Sequence, residues 1–113
     1  MNINIDKRNG FVIITWKEDK LLSNFAPLLK AELVILANEG YKNMVLDISC
    51  VRYVDSSGIS TLIVGNRLCK EASGKFIIAG INSHIQKLIT VSRLDSLLHT
   101  SLTLDAAVQD IEN

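Results

Sequence analysis

The sequence predicts an α/β fold: one domain with a mixed four- to five-stranded sheet, an N-terminal antiparallel hairpin and about four helices. Three observations lead there. β-Branched and apolar runs at 44–49 and 76–79 alternate with helical patterns, as in parallel strands joined by crossover helices. Two β-favouring runs flank Asn9-Gly10, the strongest short hairpin signal. The length, 113 residues, suits a single core that buries about two thirds of the unfolded surface, so residues 1–113 are read as one domain without linker or repeat.

The elements follow in order. Ile3 and Ile5 alternate with Asn2, Asn4 and Asp6 as in a half-buried strand, and residues 11–16 supply its hairpin partner. Residues 17–20 form a charged connection. Ser23 or Asn24 is then placed to cap a helix with Phe25, Leu28, Leu29, Leu33 and Leu36 on one face, and Pro27 fits only in its first turn. Val34 and Ile35 widen that apolar arc, which suggests an enlarged core and, as the second reading, a partner or dimer surface. Gly40 is placed to end the helix.

The strand at 44–49 leads through 50–54 into Asp55-Ser56-Ser57-Gly58, after which Ile59, Leu62, Ile63, Asn66 and Cys69 recur at helical spacing to about Glu71. A buried strand is expected at 76–79. Asn82 or Ser83 can cap the next helix, with Gln86 three residues after Ser83 as in a capping box. Residues 97–101 read as a short edge strand, and Thr103 as the cap of a last helix through about Ile111.

Composition narrows the function. Twelve basic and twelve acidic residues balance, so no global field draws nucleic acid or anionic lipid, and recognition must be local. No apolar run approaches the roughly 18 residues a bilayer crossing needs, and the N-terminus lacks a basic region followed by an apolar stretch. A cytoplasmic protein is expected. Cys50 and Cys69 form no CxxC pair, which agrees with a reducing compartment, and both read as buried small apolar residues rather than metal ligands. No cofactor is expected, because Gly-x-x-x-x-Gly-Lys and Gly-x-Gly-x-x-Gly are both absent.

Asp55-Ser56-Ser57-Gly58 is the most informative stretch. A serine here, Ser56 or Ser57, sits at a helix start, where its hydroxyl can cap free backbone N–H groups. The alternative is that it accepts a phosphoryl group, about 1.5 to 2 negative charges with three acceptor oxygens. Helix-terminal N–H groups favour that charge and Asp55 opposes it, so the fold should survive modification. A partner covering the site would then face an unpaired dianion instead of a hydroxyl, so binding would be lost without unfolding. Gly58, without a side chain, admits another backbone, and close approach of a partner is the expected use.

With this element order, Val45-Leu46-Asp47-Ile48-Ser49 and Val54-Asp55-Ser56-Ser57-Gly58-Ile59-Ser60-Thr61-Leu62 resemble the STAS domain family, and within it the single-domain anti-sigma factor antagonists. Gly74-Lys75-Phe76 and the stretch from Leu88-Ile89 to Leu94 are similar to the family's later strand and helix. The resemblance implies a phosphorylation-controlled partner switch. The unphosphorylated protein would bind an anti-sigma factor that is also a serine kinase and so free a sigma factor; phosphorylation of Ser56 would break the complex and a serine phosphatase would restore it. Ser57 is the second candidate acceptor. Asp55, Ser56, Ser57, Gly58, Leu22 and Ser23 would form the partner surface. Family members commonly carry Gly-x-Leu-Asp before the first helix, whereas Asp19-Lys20-Leu21-Leu22-Ser23 puts Leu22 where the second acidic residue is expected. That departure points to a different cognate partner or a repurposed site.

Three rival readings remain at this level. A STAS module that is never phosphorylated could scaffold a signalling or lipid-transport assembly, since a fold does not fix a function. A hydrolase is disfavoured because Gly-x-Ser-x-Gly is absent and only His84 and His99 could act as bases. Nucleic-acid binding lacks clustered Lys and Arg or an aromatic stacking platform. Asp47 reads either as a turn-supporting carboxylate or as a support of the Ser56 loop, and a homodimer stays open.

Overall fold

A computed structural model describes residues 2–113. Its main sheet runs in the order β1-β2-β4-β6-β7. β1 (Ile3–Arg8) and β2 (Phe11–Trp16) form the antiparallel hairpin, with Arg8 opposite Phe11 across the Asn9-Gly10 turn. β4 (Met44–Asp47), β6 (Phe76–Ala79) and β7 (His99–Ser101) continue the sheet in parallel. The central strands are apolar on both faces because both are covered. Val12, Ile14, Trp16, Met44, Leu46, Phe76 and Ile78 pack under α1 (Ala26–Asn38), α2 (Ser56–Glu71) and α3 (Ser83–Val91). Phe11, Ile13, Val45, Ile77 and Ala79 meet Ala107 and Ile111 of α4 (Leu104–Glu112) on the other face.

The capping signals in the sequence resolve unevenly. Thr103 caps α4 through Ala106 N–H, as expected. Of the two candidates for α3, Asn82 is the cap, accepting from Ile85 N–H at 2.8 Å, so the Ser83/Gln86 capping box does not form. Neither Ser23 nor Asn24 caps α1. Phe25 holds the N-cap position without a side-chain bond, and the turn closes on the Leu22 carbonyl, which accepts from Phe25 and Ala26 N–H at 3.0 and 2.8 Å. Pro27 in the first turn removes one donor that would otherwise go unpaired. At the far end Gly40 takes a φ of +101°, and the Gly40 and Tyr41 N–H groups return to Ala37 and Leu36 carbonyls in a Schellman closure.

Three expectations change. The apolar arc of α1 is no enlarged core, because Leu28, Val34 and Ile35 are exposed while Ala26, Leu29, Leu33 and Leu36 fill the buried face. Cys50 is exposed and only Cys69 is buried, since Cys50 lies in the loop after β4 rather than in the strand. The connections expected at 17–20 and 50–54 instead contribute to a second, two-stranded parallel sheet, in which β3 (Lys20–Leu21) pairs with β5 (Tyr53–Val54). Strands this short carry no readable period.

Candidate functional site

The small sheet positions the site. β3 leads into the 22–25 turn and β5 leads into α2, so their parallel pairing holds the two segments side by side. Arg52 N–H donates to the Asp19 carbonyl at 2.7 Å at the sheet's open end. Asp47 supports the earlier turn: its carboxylate accepts from both the Ser49 N–H and the Ser49 hydroxyl. Of its two sequence readings, the turn-supporting one is the one formed.

Asp55 is the N-cap of α2, and Ser56 is the first helical residue. The cap expected of a serine is therefore made by its neighbour. Asp55 Oδ1 accepts from Gly58 N–H at 3.0 Å, while Oδ2 accepts from Ser23 N–H at 2.9 Å. One carboxylate thus closes the helix start and ties it to the turn before α1. These donors, Gly58 first, hold the Asp55 carboxyl below the usual carboxylate range.

With Asp55 doing this work, the Ser56 side chain is exposed and hydrogen-bonded to nothing among the described residues. Ser57 is half-buried, and its carbonyl accepts from the Thr61 hydroxyl at 3.1 Å. Thr61 is fully buried and also lies 3.4 Å from the Ala26 carbonyl, where α1 and α2 touch. Gly58 is buried, and a Cβ there would stand 2.4 Å from the Leu21 carbonyl oxygen. The backbone that Gly58 admits in this structure is the chain's own. Leu22 is half-buried and Ser23 exposed.

Ser56 stands on a ridge between two surface depressions. One, of about 290 Å³, lies between α1 and α2 and is lined by Ala26, Pro27, Lys30, Ser57, Ser60 and Thr61 besides Ser56. The other, of about 350 Å³, faces α3 and is lined chiefly by Val54, Ile59, Ile63 and Leu88, with Asp55 its only charged residue. The sequence reading named Asp55, Ser56, Ser57, Gly58, Leu22 and Ser23, and the fold brings all six to one end of the α1–α2 pair. It missed Lys30, whose place beside Ser56 depends on how two helices cross rather than on any local pattern.

Neither histidine lines these depressions. His84 sits edge-on to Tyr53 with ring centroids 6.4 Å apart, and His99 Nε2 lies 3.4 Å from the Asp110 carboxylate. Among the described residues, no group of three or more His, Cys, Asp or Glu is arranged to hold a metal ion. No helix there is long and apolar enough to cross a membrane.

The model of the STAS domain matches residues 2–107. The chain belongs to the STAS domain family. It is 26% identical over 110 residues to the anti-sigma-B factor antagonist of Bacillus subtilis, covering 96% of this chain and 100% of that one. The solved STAS domain protein from Planctomyces limnophilus, an anti-sigma factor antagonist, superposes with a TM-score of 0.88 at 16% identity, over 98% of each chain. SpoIIAA, a Bacillus cell fate determinant, is similar in its phosphorylated form, with a TM-score of 0.76 at 15% identity over 97% of this chain and 99% of that one. Its unphosphorylated form, described as an anti-sigma factor antagonist, gives 0.77 at 13% identity over 99% of each. This STAS domain therefore has the fold of anti-sigma factor antagonists.

Proposed function

We propose that this STAS domain is an anti-sigma factor antagonist controlled by phosphorylation of Ser56. The unmodified form binds an anti-sigma factor that is also a serine kinase and so frees a sigma factor. In the complex the γ-phosphoryl group passes from a nucleoside triphosphate to Ser56 Oγ, the nucleoside diphosphate departs with the broken bond's oxygen, the hydroxyl proton goes to a base of the kinase or to solvent, and the modified protein is released. A serine phosphatase resets it by hydrolysing the phosphoester. The binding surface is the end of the α1–α2 pair formed by Asp55, Ser56, Ser57, Leu22 and Ser23, with Gly58 beneath it.

The single observation that carries this reading is the division of labour at the start of α2. Asp55 makes the cap, and the exposed Ser56 hydroxyl has no structural duty. A side chain without such a duty can be modified without loss of the fold, while a partner that covers it must desolvate whatever it carries. That SpoIIAA, a protein of this fold, exists in phosphorylated and unphosphorylated forms supports phosphorylation as the kind of control acting here.

The test is binding of Ser56→Asp and Ser56→Ala to anti-sigma factor kinases from the same cell, alongside thermal unfolding of each variant. Ser56→Asp should bind at least tenfold more weakly and Ser56→Ala should bind persistently, with both unfolding within a few degrees of the parent. Equal partner affinity for Ser56→Asp and the parent would favour a constitutive scaffold instead.

A further inference from the structure

Ser56 has a polar and an apolar side, and the difference decides where an added phosphoryl group would go. Toward α3 the surface is made chiefly by Val54, Ile59, Ile63 and Leu88, with Ser60 and Ser92 at its edge, and the one charge there is the Asp55 carboxylate. A dianion leaning that way would lose hydration against apolar groups and meet a like charge. Toward α1 the lining holds Ala26, Pro27, Ser57, Ser60, which borders both depressions, and one charged side chain, Lys30. The Thr61 hydroxyl beneath is already bonded to the Ser57 carbonyl, so the two sides differ above all in the sign of their single charge. Lys30 is exposed, and its ammonium forms no ion pair or hydrogen bond among the described residues. It is an uncommitted cation on a flexible stem, bordering the same hollow as the serine hydroxyl.

We propose that Lys30 is the intramolecular partner of phosphorylated Ser56, drawing the phosphoryl group into the α1–α2 depression and away from the α3 side. This rests on the reading of Ser56 as the acceptor and adds a positioning residue to it. Two neighbouring charges then act on the phosphate in opposite senses. Lys30 favours the dianion, and Asp55 disfavours it. The contact also bridges α1 and α2 across the hollow, so the modified protein differs from the unmodified one mainly along that groove. A partner seated over the groove would have to break the Lys30 contact as well as cover the charge.

The experiment installs phosphoserine at position 56 during synthesis, so that no kinase is needed, and follows the ³¹P resonance of the folded full chain through a pH titration. An unperturbed phosphoserine loses its second proton near pH 6. Lys30→Met should raise that midpoint by about 0.6–0.8 unit at low salt, the size expected for unit charges some 4 to 5 Å apart in water. Lys30→Arg should keep the parent midpoint, and Lys70→Met, in the last turn of α2, should leave it unchanged. The Lys30→Met difference should shrink in 1 M salt.

Equal midpoints for Lys30→Met and the parent would overturn the pairing, as would an equal shift from Lys70→Met. Failure here leaves the partner switch standing, because the switch needs only the charge. Failure to find any cellular phosphate on Ser56 would remove the switch and leave the measured Lys30 contact intact.

Discussion

Gly58→Ala gives a direct test of how the site is built. A Cβ at this position would lie 2.4 Å from the Leu21 carbonyl oxygen, where ordinary contact begins at 3.4 Å, so the helix start and β3 must part by about 1 Å. The Ser23 N–H to Asp55 bond spans the same gap at 2.9 Å, and an equal stretch would take it beyond hydrogen-bonding range. Overpacking against backbone costs about 1–3 kcal/mol, because a carbonyl in a paired strand has no rotamer to escape into. Opposing this, alanine is preferred over glycine by up to about 1 kcal/mol inside a helix, and by less in the first turn. The clash should win, with a net loss of about 1–2 kcal/mol. In urea the midpoint should fall by about 0.5–1 M with an unchanged slope, and Tm should drop by about 5–10 °C. Ser60→Ala, at an exposed position in the same helix, controls for propensity. A Gly58→Ala midpoint equal to or above the parent's would refute the claim that this glycine exists for the Leu21 approach.

Two other outcomes follow from protonation chemistry. Asp55→Asn keeps a good cap but offers one oxygen where the carboxylate uses two, so its loss of stability should be full above about pH 4 and fade below it. The sign follows from the lowered carboxyl: the ionised form stabilises the native state above the unfolded pKa, and that contribution is lost as pH falls through the folded one. Thiol labelling of the native protein should modify Cys50 rapidly and Cys69 only on unfolding, because burial pushes the Cys69 thiol up to about 12. Equal labelling of the two cysteines would show that α2 does not pack on the sheet as described.

Most of the fold was legible because it is written in long periodic segments. The strands at 11–16, 44–47 and 76–79 are apolar on both faces, and each helix carries a stripe the sheet can bury. What escaped reading was set by contacts distant in sequence. The pair β3 and β5 is two residues long on each side and becomes a sheet only when residues 20 and 53 meet. Leu28, Val34 and Ile35 look like core in the sequence, yet they stay exposed while Ala26, Leu29, Leu33 and Leu36 fill the buried face of α1. Cys50 falls past the end of β4 in an exposed loop, whereas Cys69 lies on the buried face of α2. At the site, Asp55 and Ser56 both belong to the best capping residues, so composition could not say which one caps. The geometry separates them, and Lys30 enters only through the packing of α1 beside α2.

That separation bears on why a phosphate at this position would act on binding rather than folding. If Ser56 were the cap, modifying it would cost the helix a donor's partner and disturb the tie to the turn before α1. Because Asp55 carries both bonds on its two oxygens, a change at Ser56 leaves them in place. Gly58 presses the same helix start against Leu21 from beneath, so the platform is fixed from the cap side and the core side. Over that fixed platform the free hydroxyl is what a partner would read under the proposed switch. A dianion there, attracted by helix N–H groups and Lys30 and repelled by Asp55, changes the surface far more than the interior. The order Asp-Ser-Ser-Gly thus has a physical logic that neither serine explains alone: the acid holds, the glycine seats, and the first of the two serines between them is left available.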